Sequence, residues 1–214
     1  LKFDMGPHAH STSEQTQTNW NGVVGRIELR ATDPVWVDDV QVYPDVDRKL
    51  AKVRLVLANA TGRRAEGSLS VSAALVGGGA AVPAQKADFA ADGERTRVEL
   101  DLPMGEDVKL WDEFAPALYD LTVTLAAKGN GAAHADTRTA TFGMRKLGIA
   151  GGRQFTLNGR RLFLRGTLEC CIFPLTGYPP TDVPAWLRIL RICQSYGLNH
   201  MRFHSWCPPE AAFA

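Results

Sequence analysis

Arg160-Arg161-Leu162-Phe163-Leu164-Arg165-Gly166-Thr167-Leu168-Glu169-Cys170-Cys171 and, further on, Leu198-Asn199-His200-Met201-Arg202-Phe203-His204-Ser205-Trp206 are the stretches that decide the fold. Each holds a short apolar run, and between them lie a Pro/Gly loop and an amphipathic segment. Strand, loop, helix, strand is a unit whose natural product is two parallel strands joined by a right-handed crossover. Polar and aromatic residues crowd the C-terminal end of each run, the end at which parallel α/β architectures carry their chemistry.

The helix is bounded by its own signals. Thr181 or Asp182 can accept a hydrogen bond from a first-turn N–H, Pro184 suits a position that needs no donor, and Gly197 can take the left-handed stop. Val183, Trp186, Ile189, Leu190, Cys193 and Tyr196 follow helical spacing and predict the packed side, with Arg188 and Arg191 left to solvent. Cys207-Pro208-Pro209-Glu210 reads as the start of another helix. A (β/α) barrel takes roughly 250 residues, so the residues after Gly159 are expected to supply only its first two strands.

The 214 residues carry a net charge of +1 and 45% hydrophobic residues, an ordinary globular composition. That balance gives no reason to expect nucleic acid or a membrane surface as partner. No apolar run is long enough to span a bilayer as a helix. The cysteines, Cys170, Cys171, Cys193 and Cys207, show no paired CxxC spacing and are expected as reduced thiols filling space beside the strand ends. His8 and His10 share a face if extended, but two ligands are too few for a metal, and no cofactor is implied.

Upstream, residues 1 to 33 are polar and run into Asn19-Trp20-Asn21-Gly22 and then Val23 to Leu29, which has strand composition. From Asp33-Pro34 the pattern alternates. Strands are predicted at Val35 to Tyr43, Lys52 to Leu57, Ser68 to Val76, more weakly at Ala84 to Phe89, then Arg95 to Leu102, Leu118 to Leu125 and Ala135 to Phe142. About seven short strands in about a hundred residues suggest an immunoglobulin-type sandwich. Asn59-Ala60-Thr61 matches a glycosylation sequon but is better read as a strand end with a polar turn. Leu110 to Pro116 is predicted to be a packed crossover anchored by Trp111. Residues 144 to 158 are a connector, and Asn158-Gly159 predicts a two-residue hairpin turn.

The order of these pieces resembles glycoside hydrolase family 2. The likeness rests on Asn19-Trp20-Asn21-Gly22 with Gly25-Arg26-Ile27-Glu28-Leu29, on Leu110-Trp111 through Leu118-Tyr119, and on Phe142-Gly143-Met144-Arg145. It continues in Phe155-Thr156-Leu157-Asn158-Gly159, Phe163-Leu164-Arg165-Gly166 and Gly197-Leu198-Asn199-His200-Met201-Arg202. The resemblance implies residues 1–33 as the end of a jelly-roll sugar-binding-type domain and 34–143 as an immunoglobulin-like β-sandwich. Residues 144–214 then form a hairpin connector and the start of a TIM-barrel catalytic domain. It further implies retaining hydrolysis of β-linked glycosides by two glutamates about 5 Å apart, both carried on later barrel strands. Neither is expected in this chain. Glu169 and Glu210 lie outside the family's catalytic motifs, and the isolated chain is expected to be inactive.

As active-site support the resemblance points to Arg202, which in the family helps position the nucleophile. His204, two residues on where the family has histidine at three, is either a sugar ligand or a packed residue. Trp206 replaces a tyrosine and could stack on a sugar. Arg165 lies on the first strand, expected over Leu162 to Leu168, with the second expected over Asn199 to Phe203. Glu169 stands near where the family often has asparagine and histidine, and could accept from sugar hydroxyls or pair with Arg202. The implied partners are a carbohydrate and either the remaining domains of the same polypeptide or a complementary subunit. Two other possibilities are a non-catalytic carbohydrate-binding or scaffold sandwich and one half of a split glycosidase.

Overall fold

The computed structural model describes residues 23, 25, 27–79, 81–204 and 206–213, so the expectations at His8 and His10, at Asn19-Trp20-Asn21-Gly22 and at Ser205 lie outside the described residues. Contacts divide the chain into two compact units, one spanning Arg30–Leu162 and the other containing Phe163–Ala214. The strand composition at Val23 to Leu29 does not yield a strand among the described residues there, and Ile27 and Leu29 are exposed. β-propensity becomes a strand only where a neighbour offers a ladder and a face to pack on.

Alternation builds the first unit. Its strands are β1 (Val35–Asp45), β2 (Leu50–Asn59), β3 (Ala65–Leu75), β4 (Ala81–Ala91), β5 (Arg95–Pro103), β6 (Tyr119–Gly129) and β7 (Ala132–Phe142). They form two antiparallel sheets, ordered β1-β2-β5 and β4-β3-β6-β7. Every second residue of the central strands points inward. Val53, Leu55 and Leu57 meet Leu69, Val71, Leu121, Val123 and Leu125 in one buried core, which is the immunoglobulin-type sandwich expected.

Side chains finish what the ladders leave open. β1 bulges between Val37 and Asp39, and the outward N–H and C=O of Val37 are met by Asp136 Oδ2 and Arg138 Nε of β7, each at 2.9 Å. That protects an edge otherwise open to a foreign strand. Asn59 is 5% exposed; its amide nitrogen donates to the carbonyls of Arg63 and Ala91 while Oδ1 accepts from Thr61. The sequon asparagine is therefore the cap of a corner, as the polar-turn reading expects.

The connector is more ordered than its sequence predicts. β8 (Leu147–Ala150), β9 (Gln154–Leu157) and β10 (Arg160–Arg161) make a small antiparallel sheet in the order β10-β9-β8. Leu147-Gly148-Ile149-Ala150 is too short to announce itself as a strand, and pairing with β9 makes it one. Asn158 (φ 52°) and Gly159 (φ 78°) occupy the left-handed region that a type I′ hairpin needs at both turn positions. Asn158 also ties the hairpin down. Its Oδ1 accepts from Lys146 N at 2.9 Å and its Nδ2 donates to the Trp111 carbonyl at 3.0 Å. Trp111 N in turn donates to Met144 O, and the Arg145 guanidinium lies 4.8 Å from the Trp111 ring centre. The Leu110 to Pro116 passage is thus an anchored crossover.

In the second unit, β11 (Gly166–Glu169) and β12 (His200–Phe203) are parallel, with Gly166 beside His200, Leu168 beside Arg202 and Glu169 beside Phe203. Helix α1 (Val183–Ser195) joins them. Asp182 is the N-cap, accepting from Ala185 N at 2.9 Å, and Pro184 sits in the first turn. Trp186 is 1% exposed and packs edge-on against Phe203 at 5.9 Å, so α1 covers the face of the strand pair that carries Phe203. Val183, Ile189, Leu190 and Cys193 are half-buried, but Tyr196 is 81% exposed. Tyr196 is the C-cap, where the chain leaves the helical path and spacing no longer predicts direction. The expected further helix is one 3-10 turn, Glu210–Ala212.

Candidate functional site

The parallel register sorts the predicted site residues by side and by end. Alternation along β11 and β12 sends Thr167, Glu169, Met201 and Phe203 to one face and Leu168, His200 and Arg202 to the other. Since α1 covers the Phe203 side, Arg202 lies on the face turned away from the helix, and it is exposed. Glu169 lies on the helix side.

That separation corrects the pairing of Glu169 with Arg202. Leu168 is the neighbour of Arg202, and no ion pair joins Glu169 and Arg202 among the described residues. Glu169 instead organises the loop that follows it. Its Oε1 accepts from Ile172 N at 3.2 Å, and its backbone carbonyl accepts from His204 N at 2.8 Å and from Trp206 Nε1 at 3.4 Å. Glu169 Oε2 is buried and accepts no hydrogen bond among the described residues.

His204 is exposed one residue beyond β12. Trp206 is half-buried in an aromatic cluster, with ring centres 5.5 Å from Phe203, 6.0 Å from Phe173 and 6.4 Å from Trp186. Glu169, His204 and Trp206 therefore meet at the C-terminal ends of the two strands. Cys170 and Cys171 come next after Glu169, with Cys171 buried.

Arg165 belongs to the opposite end. Its Nε donates to Gly197 O at 2.7 Å, and its N–H donates to Asn199 Oδ1 at 2.8 Å. Asn199 also donates to Phe163 O at 3.1 Å. Arg165 and Asn199 thus lash the helix exit to the start of β11, about 13 Å of strand away from Glu169. The sequence does not single Asn199 out for this tie, because a polar residue between a helix stop and a strand reads as plain turn chemistry.

Among the described residues no group of three His, Cys, Asp or Glu side chains is placed to hold a metal, and no helix is long and apolar enough to cross a membrane. The family model for glycosyl hydrolases family 2 matches residues 35–145, just over half of the chain. The chain belongs to glycosyl hydrolase family 2.

Solved structures agree on the fold of this family 2 chain. A family 2 member from Bacteroides cellulosilyticus superposes with a TM-score of 0.69 at 21% identity, over 85% of this chain and 23% of its own. A Bacteroides uniformis β-glucuronidase gives 0.67 at 17% identity, over 85% and 22%. An Eisenbergiella tayi family 2 β-galacturonidase bound to glycerol gives 0.63 at 19% identity, over 85% and 30%. The chain thus spans between about a fifth and a third of the length of these structures. No curated protein matches it. Within family 2, the matched residues 35–145 cover the sandwich, and β11, α1 and β12 lie outside them.

Proposed function

We propose that this chain is part of a retaining β-glycoside hydrolase. In this reading residues 1–33 close a jelly-roll domain, 34–143 form the immunoglobulin-like sandwich, and 144–214 lead into a (β/α) barrel whose catalytic glutamates are encoded elsewhere. One observation carries it most: the parallel β11–β12 pair has α1 on one face and Arg202 on the other. In a barrel the helices lie outside, so the face opposite α1 is the interior. Arg202 there is suited to hold and orient a carboxylate by charge-assisted hydrogen bonds. His204 at the strand end is the candidate for contact with the sugar, while the Trp206 ring, packed with Trp186 and Phe203 on the helix side, could meet it only by its half-exposed edge. Glu169, on the helix side, supports the loop that places them, and Arg165 supports the opposite end.

The test is the whole protein from the gene that encodes this chain, assayed on aryl β-glycosides. Arg202→Ala should lower kcat/KM by about tenfold to a hundredfold, the loss of a charged hydrogen bond. Glu169→Gln should mainly lower stability. The 214-residue chain alone should show no turnover. Hydrolysis by that chain, or a fully active Arg202→Ala protein, would overturn the proposal.

A further inference from the structure

We propose that the outward face of the β1-β2-β5 sheet carries a shallow site for one neutral sugar unit. The registers set its side chains out as a grid: Asp39, Val56 and Arg97 form one row across the three strands, Gln41, Arg54 and Glu99 the next, and Tyr43, Lys52 and Asp101 the third. Val56 is the short residue among long ones. Around it lies a hollow of about 330 Å³, whose lining includes Asp39, Gln41, Arg54, Val56, Arg97 and Glu99. That volume lies at the small end of the range for ligand pockets.

The walls are held in place by one another. Tyr43 donates its hydroxyl to Gln41 Oε1 at 2.6 Å, and Gln41 Nε2 donates to Asp39 Oδ2 at 2.8 Å. Across the strands, Arg54 Nε sits 2.9 Å from Glu99 Oε1, and the Arg54 guanidinium lies 4.7 Å from the Tyr43 ring centre. Side chains tied in this way lose little freedom when a ligand arrives. The chemistry of the rim selects the ligand. An anion would meet Asp39 and Glu99, and a cation would meet Arg54 and Arg97. A neutral polyol instead finds acceptors and donors around the single apolar side chain of Val56, an arrangement that suits hydroxyls on the edge of a ring and a C–H group above the valine. The site breaks no bond, and it stands or falls separately from the strand-end reading.

The experiment is a two-dimensional amide NMR titration of the 214-residue chain with methyl β-glucopyranoside, methyl β-galactopyranoside and glucuronate. The expected result is a saturable shift of the Arg54 and Val56 amides and the Gln41 side-chain amide. At least one neutral glycoside should bind with a Kd on the order of 1 mM, and glucuronate more weakly. Val56→Lys, which fills the hollow from the outward face, should abolish the shifts, and Gln41→Ala should weaken binding about fivefold. Unchanged resonances elsewhere in the sandwich establish that each variant folds, and if Val56→Lys does not fold, Gln41→Ala decides. The proposal is overturned by no saturable shift at these positions, by equal binding of glucuronate, or by binding unaltered in the folded variants.

Discussion

Asn158 shows how much one side chain can hold. It accepts a left-handed backbone at a hairpin turn and spends both ends of its amide on other segments, Lys146 N and the Trp111 carbonyl. Asn158→Ala should destabilise the chain by about 2 kcal/mol, combining the lost hydrogen bonds with the cost of positive φ. Asn158→Gly keeps the turn but loses the same two bonds, so it should cost less than alanine; urea denaturation midpoints decide the order. Two charged residues beside this joint respond to pH. The N–H groups of Ala115 and Phe114, donating to the Asp112 carboxylate, hold it below its ordinary pKa of 3.8. A carboxyl depressed in the folded state stabilises it above the unfolded pKa and stops doing so as pH falls through the folded value. The protection of the Ala115 and Phe114 amides, their exchange measured against the intrinsic rate at each pH, should therefore fall only in acid below pH 3.8. Lys146 is shifted the other way, raised above 10.5 first by its hydrogen bond to Asp47 and then by that carboxylate's charge. Its contribution is complete below 10.5 and lost as pH rises through the higher folded value. The stability difference between wild type and Asp47→Ala should vanish there.

At the scale of elements, α1 joins the two strands and also decides which of their faces is covered. Its position rests on Trp186, whose ring meets Phe203, Phe173 and Trp206 and whose Nε1 donates to Pro180 O at 2.8 Å. Trp186→Ala should destabilise the second unit by about 3–5 kcal/mol, as large-to-small changes at buried aromatics do. Asp182→Ala, which removes only the cap, should cost about 1 kcal/mol. Thermal unfolding followed by near-ultraviolet circular dichroism separates the two, because only the first removes a ring from the cluster. The helix boundaries were legible beforehand: a capping acid, a proline in the first turn and a glycine at the exit each have a local cause. Tyr196 fits the helical spacing yet faces solvent, since spacing alone does not say where the chain quits the helical path. β8 carries no signal of its own for a related reason, a short strand being defined by its neighbour more than by its own residues.

Across the whole molecule the two units differ in how completely they bury themselves. The sandwich closes its core and dresses the β1 edge with Asp136 and Arg138. The second unit leaves Phe163, Leu175, Tyr196 and Phe213 exposed beside a two-stranded sheet whose outer edges are open among the described residues. Exposed apolar surface and unpaired strand edges favour association. Sedimentation of the 214-residue chain should show self-association that grows with concentration, and the Arg30–Leu162 unit expressed alone, if it folds, should show less. By itself the sequence determined the sandwich, the hairpin turn and the parallel pair, because each follows from periodicity and from residues with restricted backbone preferences, which act over a few neighbours. Only tertiary structure decided that Glu169 and Arg202 face opposite ways, that Arg165 holds the far end, and that a hollow opens around Val56. Those depend on register and on which face a helix covers, and both are set by contacts between segments far apart in the chain.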